Sequence, residues 1–513
     1  MENSLNYDFE MRPDPIPEDE IVETISTDVV VIGAGTSGLV CANSAAENGN
    51  KVILISASSR PVARGGSTHA INSKLTRELG VEYDVGKNFK QEIDRSGGRI
   101  DQDKWFLFAR KSGEAMDWLI DKMTKAGYAA CLEIGVVDPD GIISTFPGAH
   151  CFATKTMKNV AMSQPLVVKT LAECARAAGA QIHYNTIAKQ LIRDSNDGRV
   201  SAVIAENSEG RYVKYTGSRG IVLATGDFTR DREMVSRYCP EVLPLVDPAP
   251  VDYDAQYAYG GIYAGDGHKM ALWIGAAWQR VVPNAPMMAG GAGPASQPYG
   301  CFKGLLVNKY GMRYCNEDVS GALPGLIQLR QPDMKVTAIW DSTYAERMAP
   351  WYPQGTRYGS PGRKIEDVVA VWEAEVEAGR MSKAGSIRGL ADKLDLNADI
   401  LKTTVNRYNV FCDNGVDEDY FKRKDLLVPV KNGPFYGQTS NAPRLLVVCG
   451  GLRTNTKMQV LDKRGEVIPG LYAVGTMVGD MFANYYTFMP SGINLGATCL
   501  TFPFLVGQEI ANH

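Results

Sequence analysis

The sequence is poor in residues that bind metals. Its 513 residues include five histidines and ten cysteines, and no two cysteines stand in C-x-x-C spacing. Structural zinc and iron–sulfur sites use closely spaced cysteines or histidines, so the sequence indicates neither. The cysteines are expected to be reduced thiols, most of them buried. Because no second redox centre is visible, electrons must enter from another protein or from a soluble nicotinamide.

Long apolar runs and an excess of positive charge are also missing. No run approaches the roughly 18 to 20 residues that a membrane span requires. The first segment, MENSLNYDFEMRPDPIPEDE, is acidic and proline-rich, unlike a secretion signal. The net charge of −4 gives no basic field for nucleic acid, and charged clusters such as Lys422 to Lys424 are expected on a solvated face. We therefore expect a cytoplasmic protein that neither binds nucleic acid nor spans a membrane.

A βαβ unit is present in TDVVVIGAGTSGLVCANSAAENGNKVILISAS. The apolar run Val29 to Ile32 precedes Gly33, Gly35 and Gly38 in G-x-G-x-x-G spacing, and Val52 to Ile55 follows as a second strand. Gly33 allows a tight turn, Gly35 lets the backbone approach a pyrophosphate, and Gly38 lets the helix pack closely on the strand. The N–H groups that open the helix favour phosphate. The pattern predicts a dinucleotide site.

The identity of the dinucleotide is open at this point. An acidic residue is expected at the end of the second strand, to bind the ribose hydroxyls, and Ser56 stands there instead. Arg60 lies nearby and could accept a 2′-phosphate, so an NADP-dependent dehydrogenase is one alternative.

The remaining sequence suggests two domains, one inserted into the other. A helix is expected within residues 101–127, and a strand pair should meet at a hairpin across Asp197 and Gly198. Asp266, in GDGHKMA, occupies an expected helix N-cap position. Further helices are expected from about Lys364 to Arg380 and from Asn397 to Cys412. We expect an N-terminal arm over residues 1–20, a dinucleotide-binding domain over 21–279 and 436–513, and an inserted substrate domain over 280–435.

Several motifs taken together resemble a known family. They are GAGTSGL, GGST, VLATGDF, GDGHKMA, GGLRTNTKMQV, IPGLYAVGTMVGD and GINLGATCLTFPFLVGQEIA. From about Ser26 to the C-terminus the chain resembles the flavoproteins of the fumarate reductase, succinate dehydrogenase and 3-ketosteroid dehydrogenase family, nearer the ketosteroid dehydrogenase-like branch. The resemblance implies an α/β fold, in which a Rossmann-like FAD-binding domain carries an inserted α+β capping domain over the substrate.

The resemblance also implies FAD that stays bound, without a covalent link. Some relatives attach flavin to a histidine before a Thr-Val-Ala run, and His69 precedes no such run. Two positions depart from the family pattern: Ser56 stands where the ribose carboxylate is expected, and Thr476 replaces a glutamate. The implied cofactor residues are Gly33, Gly35, Thr36, Ser37, Gly38, Ser56, Gly65, Gly66, Ser67, Thr68, Ala188, Gly226, Asp266, Gly475, Thr476, Cys499 and Leu500.

Small dicarboxylates are not expected as substrates. Relatives that reduce fumarate hold its carboxylates with Arg and His, and burying such charges without partners is unfavourable. Asn494 stands in place of the carboxylate-binding Arg, and the position of the proton-donating Arg falls near Gly321. The four other histidines, His150, His183, His268 and His513, lie away from the family's binding positions.

We hypothesise that a tyrosine donates the proton that an arginine donates in relatives that reduce fumarate. In the ketosteroid dehydrogenase branch a Tyr phenol and a glycine N–H polarise a ketone oxygen; here Tyr485 and Tyr486 precede Gly492 in NYYTFMPSGINLG. We favour Tyr486 over Tyr485 as proton donor, with Gly492 N–H holding an oxygen. The substrate expected is apolar and cyclic: a steroid enone, or a phenolic or isoflavonoid such as tetrahydrodaidzein. An enoate reductase of the fumarate type and an electron-transferring flavoprotein subunit remain alternatives, and the electron donor is NAD(P)H or a separate redox protein.

Overall fold

A computed structural model of the chain describes residues 7–132, 146–154, 163–193, 195, 197–256, 259–294, 302–319, 323–351, 364–488 and 490–510. The strands are β1 (Ile21–Ile32), β2 (Val52–Ile55), β3 (Thr68–His69), β4 (Ala129–Leu132), β5 (Ala149–Ala153), β6 (Gln181–His183), β7 (Ile187–Arg193), β8 (Val200–Glu206), β9 (Tyr212–Leu223), β10 (Ala285–Ala289), β11 (Leu305–Asn308), β12 (Val336–Asp341), β13 (Ser382–Ala384), β14 (Phe435–Ser440), β15 (Arg444–Cys449), β16 (Gln459–Leu461) and β17 (Val467–Ala473).

The described residues form fourteen α-helices, spread along the chain from Thr36 to Glu509. They are α1 (Thr36–Glu47), α2 (Lys74–Glu78), α3 (Val85–Arg95), α4 (Gln102–Lys125), α5 (Gln164–Ala177), α6 (Arg232–Tyr238), α7 (Asp266–Trp273), α8 (Leu323–Leu329), α9 (Tyr344–Arg347), α10 (Ile365–Glu377), α11 (Ile387–Leu394), α12 (Ala398–Asn414), α13 (Ile493–Gly496) and α14 (Phe502–Glu509). The helices expected within 101–127, from about 364 to 380 and from 397 to 412 are confirmed.

The main sheet contains five parallel strands in the order β17-β9-β1-β2-β6. Its centre is made of β-branched and aliphatic residues: the Val29 to Ile32 half of β1 and all of β2 are buried on both faces, as a parallel sheet between two layers requires. Helices α1, α5 and α14 pack together on one face. The predicted α/β class and Rossmann-like unit are confirmed.

Antiparallel strands extend this sheet. β7 and β8 form the hairpin expected across Asp197 and Gly198, and β8 continues onto β9. The chain before this hairpin forms two strands: Gln181–His183 joins the parallel sheet, and Ile187–Arg193 joins the hairpin. The division falls at Asn185, whose φ of 50° turns the chain.

A second sheet, in the order β11-β12-β14-β13, lies between residues 305 and 440. Two hydrophobic clusters pack on it, one centred on Trp340 and Trp372 and the other on Leu390, Leu401 and Tyr408. A two-stranded ribbon pairs β10 with β15 at the two ends of this region. The bounds of the inserted domain, 280–435, stay a proposal. The last strand of this sheet, β14, begins at residue 435 and ends at Ser440, five residues beyond the proposed boundary.

Within the basic run Lys422 to Lys424, Lys422 contradicts the expectation of a solvated face, while Lys424 is exposed as expected. Lys422 is buried, lies 3.2 Å from Glu317 and donates to the Tyr408 hydroxyl. Arg313 makes two hydrogen bonds to Glu317 and two to Asp417, all between 2.7 and 2.9 Å. Burial opposes ionisation of Asp417, but its bonds to Arg313 and to backbone N–H groups outweigh burial and lower its pKa to about 2. The charged run therefore contributes to a buried ion network.

None of the helices in the part of the chain that the structure describes has the length and apolar character needed to cross a bilayer.

Candidate active site

Four segments that follow parallel strands meet at the carboxyl edge of the main sheet. β1 leads into Gly33 to Gly35, β2 into Ser56, β9 into Thr225 to Asp227, and β17 into Gly475 and Thr476. Ligands of open α/β sheets bind at this edge. The motifs singled out in the sequence are therefore brought together because the strands are parallel.

The three motif glycines have the separate roles that their spacing predicts. Gly33 has a φ of 118°, and a Cβ there would lie 2.3 Å from the Ala224 carbonyl oxygen. A Cβ on Gly38 would lie 1.9 Å from the Gly33 carbonyl oxygen, so only glycine lets α1 pack this closely. Gly35 differs, because its nearest neighbour would be 3.6 Å away. The backbone at Gly35 is thus open to a ligand at the N-terminus of α1.

These segments line a cavity of about 1320 Å³. Typical small-molecule pockets hold about 300 to 1,000 Å³, so this one has room for more than a single small ligand. The expected cofactor residues that line it are Gly33, Gly35, Thr36, Ser37, Ser56, Gly65, Gly66, Ser67, Ala188, Gly226, Asp266, Thr476 and Cys499. The open cradle at Gly35, the helix N-terminus and the size of the cavity fit FAD.

Four other expected cofactor residues lie behind the wall of this cavity. Gly38 and Leu500 are packed in the core, and Gly475 faces Ser37, whose Oγ would lie 2.5 Å from a Cβ at that glycine. Thr68 is buried and accepts a 2.8 Å hydrogen bond from the Gln164 amide. Contacts of all these residues with FAD stay predictions, and for these four the role indicated is shaping the wall.

Three polar residues near the nucleotide end, Asp266, Ser56 and Arg60, are hydrogen-bonded to other residues of the protein. Asp266 is the first residue of α7 and not its N-cap, because Gly265, with a φ of 74°, takes the cap position. The Asp266 carboxylate instead accepts a 2.8 Å hydrogen bond from the Tyr253 hydroxyl. Ser56 Oγ accepts from the Ala34 N–H at 3.2 Å, and Arg60 donates to the backbone carbonyl of Asp254.

Tyr486 is the best-placed of the candidate proton donors. It lines the cavity, is 1% exposed, and packs edge-on against Phe482 and Phe488 with ring centroids 5.0 and 4.7 Å away. Its hydroxyl oxygen accepts a 3.2 Å hydrogen bond from the Asn494 N–H, in the first turn of α13. Backbone N–H groups at a helix start favour negative charge, so this contact stabilises a phenolate there.

Gly492 also lines the cavity, immediately before α13. Its φ is 75°, and a Cβ would lie 2.2 Å from the Ser67 carbonyl oxygen, so another residue would displace the Gly65 to Thr68 loop. Asn494, which stands in place of a cation, donates from its amide to Thr476 at 3.4 Å and accepts from Thr498 at 2.8 Å. The amide therefore joins the two segments that frame this end of the cavity.

Tyr485 does not line the cavity. It is half-buried on the outer side of the same loop, and burial and the charge of Glu92 raise the pKa of its hydroxyl. Glu92 itself is buried within hydrogen-bond distance of the Thr487 hydroxyl, at 3.3 Å. Burial raises the pKa of Glu92 to about 8, against the opposing charge of Arg95. The structure thus separates the two tyrosines and favours Tyr486.

His69 has both ring nitrogens engaged away from the cavity. Nδ1 lies 2.8 Å from the Ser491 carbonyl oxygen and Nε2 lies 2.9 Å from the Tyr83 hydroxyl. Burial lowers the pKa of His69 to about 3, so the ring is neutral. Since a carbonyl only accepts, Nδ1 carries the hydrogen and Nε2 accepts from Tyr83. Both ring nitrogens are thus hydrogen-bonded within the protein, and non-covalent flavin stays a prediction.

The sequence analysis missed two charged residues in the cavity wall. Arg64, which directly precedes Gly65, and Asp227, which follows Gly226, both line the cavity, with Nη2 of Arg64 3.9 Å from Oδ2 of Asp227. Burial lowers the pKa of Arg64 and raises that of Asp227, while their mutual attraction opposes both shifts. A signal was present, since each is a charged residue inside a motif otherwise made of small residues.

Other candidate positions lie apart from this site. His150 and His268 are fully buried and His183 contacts Tyr215; none of the three lines the cavity. Gly321 and His513 lie outside the described residues. Within the described ranges, no group of three or more His, Cys, Asp or Glu side chains could hold a metal, and each cysteine is a free thiol. By contrast, two methionines of β10, Met287 and Met288, line the cavity.

Comparison with known proteins agrees with this site. Residues 28–488 match the family described as FAD binding domain. The chain is 26% identical to the vinyl phenol reductase of Lactiplantibacillus plantarum, over 95% of this chain and 96% of that protein. It is 24% identical to the urocanate reductase of Eggerthella lenta, over 98% of this chain and 76% of that protein. A solved structure of 3-ketosteroid-Δ4-(5α)-dehydrogenase from Rhodococcus jostii RHA1 has the same fold, with a TM-score of 0.71 at 22% identity and with 97% and 100% of the chains covered.

These matches confirm the resemblance inferred from the motifs, the fold class and the cofactor. The match to the family covers most of the chain, including every strand-end segment that lines the cavity up to Tyr486. The named relatives are reductases, and the fold is that of a flavin-dependent dehydrogenase. The chain therefore belongs to the FAD binding domain family, and it is an FAD-dependent oxidoreductase.

Proposed function

We propose that this enzyme reduces a carbon–carbon double bond in an apolar, cyclic substrate, with Tyr486 as the proton donor. The observation that carries the proposal is the position of Tyr486: its hydroxyl is buried in the cavity wall and accepts from the Asn494 N–H. When bound and reduced by the electron donor, FAD would supply the hydride that completes the addition of hydrogen across the bond.

The cavity wall supports an apolar substrate. Away from the glycine-rich segments it is formed largely by methionines, small residues and aromatic rings, namely Met287, Met288, Ala289, Ala292, Pro294, Phe302, Leu306, Val319, Pro324, Val371 and Phe488. Flexible methionines and aromatic rings suit a flat hydrophobic ligand. Among the described lining residues the cations are Arg64 and Arg444, and Arg444 is exposed and stacks on Tyr259 at 5.1 Å. A small dicarboxylate would find no paired cations at Tyr486.

Tyr486 can donate a proton because the anion left behind is stabilised. Loss of the phenol proton leaves negative charge on an oxygen that already accepts from Asn494 N–H at the start of a helix. The packed rings of Phe482 and Phe488 hold the phenol in one orientation and exclude water. In this proposal Gly492 N–H, at the same helix start, polarises a substrate oxygen where the substrate is an enone.

The relatives narrow the choice of first substrates. One is named for vinyl phenol and another for urocanate, both of which carry an unsaturated bond beside a ring, and the structural neighbour acts on a 3-ketosteroid. We infer that the substrate combines a ring with a conjugated double bond. 4-Vinylphenol and a 3-ketosteroid enone therefore form the first test set, with fumarate and urocanate as charged comparisons. Tetrahydrodaidzein, whose heterocycle carries a hydroxyl and no double bond, serves as a ring compound that this reaction should leave unchanged.

The test is anaerobic reoxidation of the chemically reduced holoenzyme, followed by the flavin absorbance. We expect one of the neutral ring compounds to reoxidise the flavin faster than fumarate does. Tyr486→Phe should slow that reaction about 10² to 10⁴-fold, the usual contribution of a general acid, and leave the flavin content unchanged. Tyr485→Phe should change the rate by less than tenfold. Rapid reoxidation by fumarate, or equal losses in the two variants, would contradict the proposal.

A further inference from the structure

Two partly buried arginines, Arg64 and Arg313, are paired in different ways. Arg313 makes two hydrogen bonds to each of two carboxylates, at 2.7 to 2.9 Å, and its environment raises its pKa. Arg64 lines the cavity, and its Nη2 lies 3.9 Å from Asp227, which is beyond hydrogen-bond length. Arg313 belongs to a closed network of hydrogen-bonded carboxylates, whereas Arg64 lines the cavity.

Asp227 is held firmly in the same wall. Its carboxylate accepts from the Thr229 hydroxyl at 2.9 Å and from the Thr229 N–H at 3.3 Å, and its side chain is fully buried. Arg64 is fixed from the other side, since its Nη2 donates to the Leu446 carbonyl. The pair thus presents a fixed donor and a fixed acceptor to the cavity, with a gap between them.

Arg64 is linked through its neighbour to the segment that contacts Tyr486. Gly65, the neighbour of Arg64, is close to Leu495, whose Cδ1 would lie 3.5 Å from a Cβ at that glycine. Leu495 follows Asn494, whose N–H binds the Tyr486 hydroxyl. Arg64 and Tyr486 line the same cavity, and the inference below places one ring-sized substrate between them.

The charge of the pair selects among oxygen-containing groups. An arginine next to an aspartate is nearly neutral overall, so an added carboxylate would meet the repulsion of Asp227 without a free positive charge to offset it. A hydroxyl suits the pair, because its oxygen accepts from arginine while its hydrogen is donated to aspartate. A phenol is the hydroxyl with which such a pair interacts most strongly, since its proton is acidic.

We propose that Arg64 and Asp227 together bind the hydroxyl of a phenolic substrate, with Arg64 donating to the phenol oxygen and Asp227 accepting its hydrogen. This inference rests on the proposed function, because it places the ring so that a conjugated double bond reaches Tyr486. As the phenol O–H hydrogen shifts toward Asp227, the electron density that remains on the oxygen passes through the ring to the double bond. The outer carbon of that bond then becomes a better acceptor for the proton of Tyr486.

Binding to the oxidised holoenzyme tests the inference without turnover. The probes are 4-ethylphenol, 4-ethylanisole, which cannot donate a hydrogen bond, and 4-ethylbenzoate, which is an anion; dissociation constants come from calorimetry. We expect the wild-type enzyme to bind 4-ethylphenol about 10 to 100-fold more tightly than either of the others, the range of a hydrogen bond to a charged group.

Variants of the pair reverse this order in a specific way. Asp227→Asn keeps an acceptor for Thr229 but leaves Arg64 with an uncompensated charge, so 4-ethylbenzoate should bind at least tenfold more tightly and 4-ethylphenol at least tenfold more weakly. Arg64→Met should reduce binding of 4-ethylphenol to that of 4-ethylanisole. Arg388→Met, which removes an exposed arginine paired with Asp399, should change none of the constants.

The outcomes separate this inference from the proposed function. Equal binding of the three probes by the wild-type enzyme would overturn the role of the pair, while reoxidation of the reduced enzyme by a ring alkene would still support the reductase. Arg64→Met that shifts the flavin spectrum or midpoint potential and leaves the three constants unchanged would place Arg64 against the cofactor, and would also overturn the inference. If the Asp227 variant fails to fold, the Arg64 variant alone decides between these results.

Discussion

Glu92 makes the stability of this enzyme depend on pH in an unusual direction. Its carboxyl group is 4% exposed, lies 3.3 Å from the Thr487 hydroxyl and has Arg95 3.7 Å away. Burial raises its pKa from 4.5 to about 8. Between these two values the folded protein retains a proton that the unfolded chain has lost, so raising the pH favours unfolding.

The size of the effect follows from the shift. Each unit of pKa corresponds to about 1.4 kcal/mol, so the raised pKa of Glu92 costs about 3 kcal/mol of stability at pH 7 and about 5 kcal/mol at pH 8 and above. At pH 4.5 and below the cost disappears, because both states are protonated. Glu92→Gln cannot ionise and still accepts a hydrogen bond from Thr487. The variant should therefore match wild-type stability near pH 4.5 and exceed it by about 3 kcal/mol at pH 7.

Urea unfolding of wild type and variant at a series of pH values, with FAD at a fixed excess, measures this difference. Its slope should be about 1.4 kcal/mol per pH unit from pH 4.5 to 8, and flat above. Glu114→Gln serves as a control, because Glu114 is exposed beside Lys111 and should shift stability by no more than about 0.5 kcal/mol at any pH. Parallel curves for the Glu92 variant and wild type would refute the argument.

Three further predictions concern the cofactor and the ion network. Gly38→Ala would place a Cβ 1.9 Å from the Gly33 carbonyl oxygen, so flavin absorbance per purified chain should fall at least tenfold. Glu317→Gln leaves Arg313 and a buried lysine short of a negative partner, and the free energy of urea unfolding at pH 7 should drop by about 3 to 5 kcal/mol. His69→Ala should retain flavin that, as in wild type, is released by acid precipitation; flavin fluorescence on the wild-type polypeptide after denaturation would contradict this.

The nucleotide half of the site could be predicted from the sequence because its signals are local. Gly33, Gly35 and Gly38 lie within six consecutive residues, and their spacing between a strand and a helix is typical of a dinucleotide-binding turn. The strand-end residues Ser56, Gly226 and Thr476 were predicted from the resemblance to the family, and the fold brings them to one edge because the strands are parallel. For this half, the glycine spacing indicated the dinucleotide site, and the resemblance supplied the residues at the other strand ends.

Charged residues were predicted less well, because their meaning depends on partners distant in sequence. Lys422 looks like part of a solvated basic run, and only the fold brings it beside Glu317 and inside a closed network. Glu92 lies in an otherwise ordinary amphipathic helix, and its raised pKa arises from burial in the fold, which the charge of Arg95 and the hydrogen bond from Thr487 only partly oppose. No local pattern distinguishes these side chains from exposed ones.

The substrate half of the cavity has the same non-local origin. Met287 and Met288 come from one strand, Phe302 and Val371 from the inserted region, and Tyr486 from a loop near the C-terminus, yet all line one space with the flavin-binding segments. Motifs reveal flavin chemistry because every relative needs the same cofactor contacts. In our proposal the substrate is selected where unrelated segments meet, and among the described lining residues the Arg64–Asp227 pair has the chemistry to discriminate phenol, ether and carboxylate. Measured binding of these three probes will therefore test the substrate class more directly than further comparison of motifs.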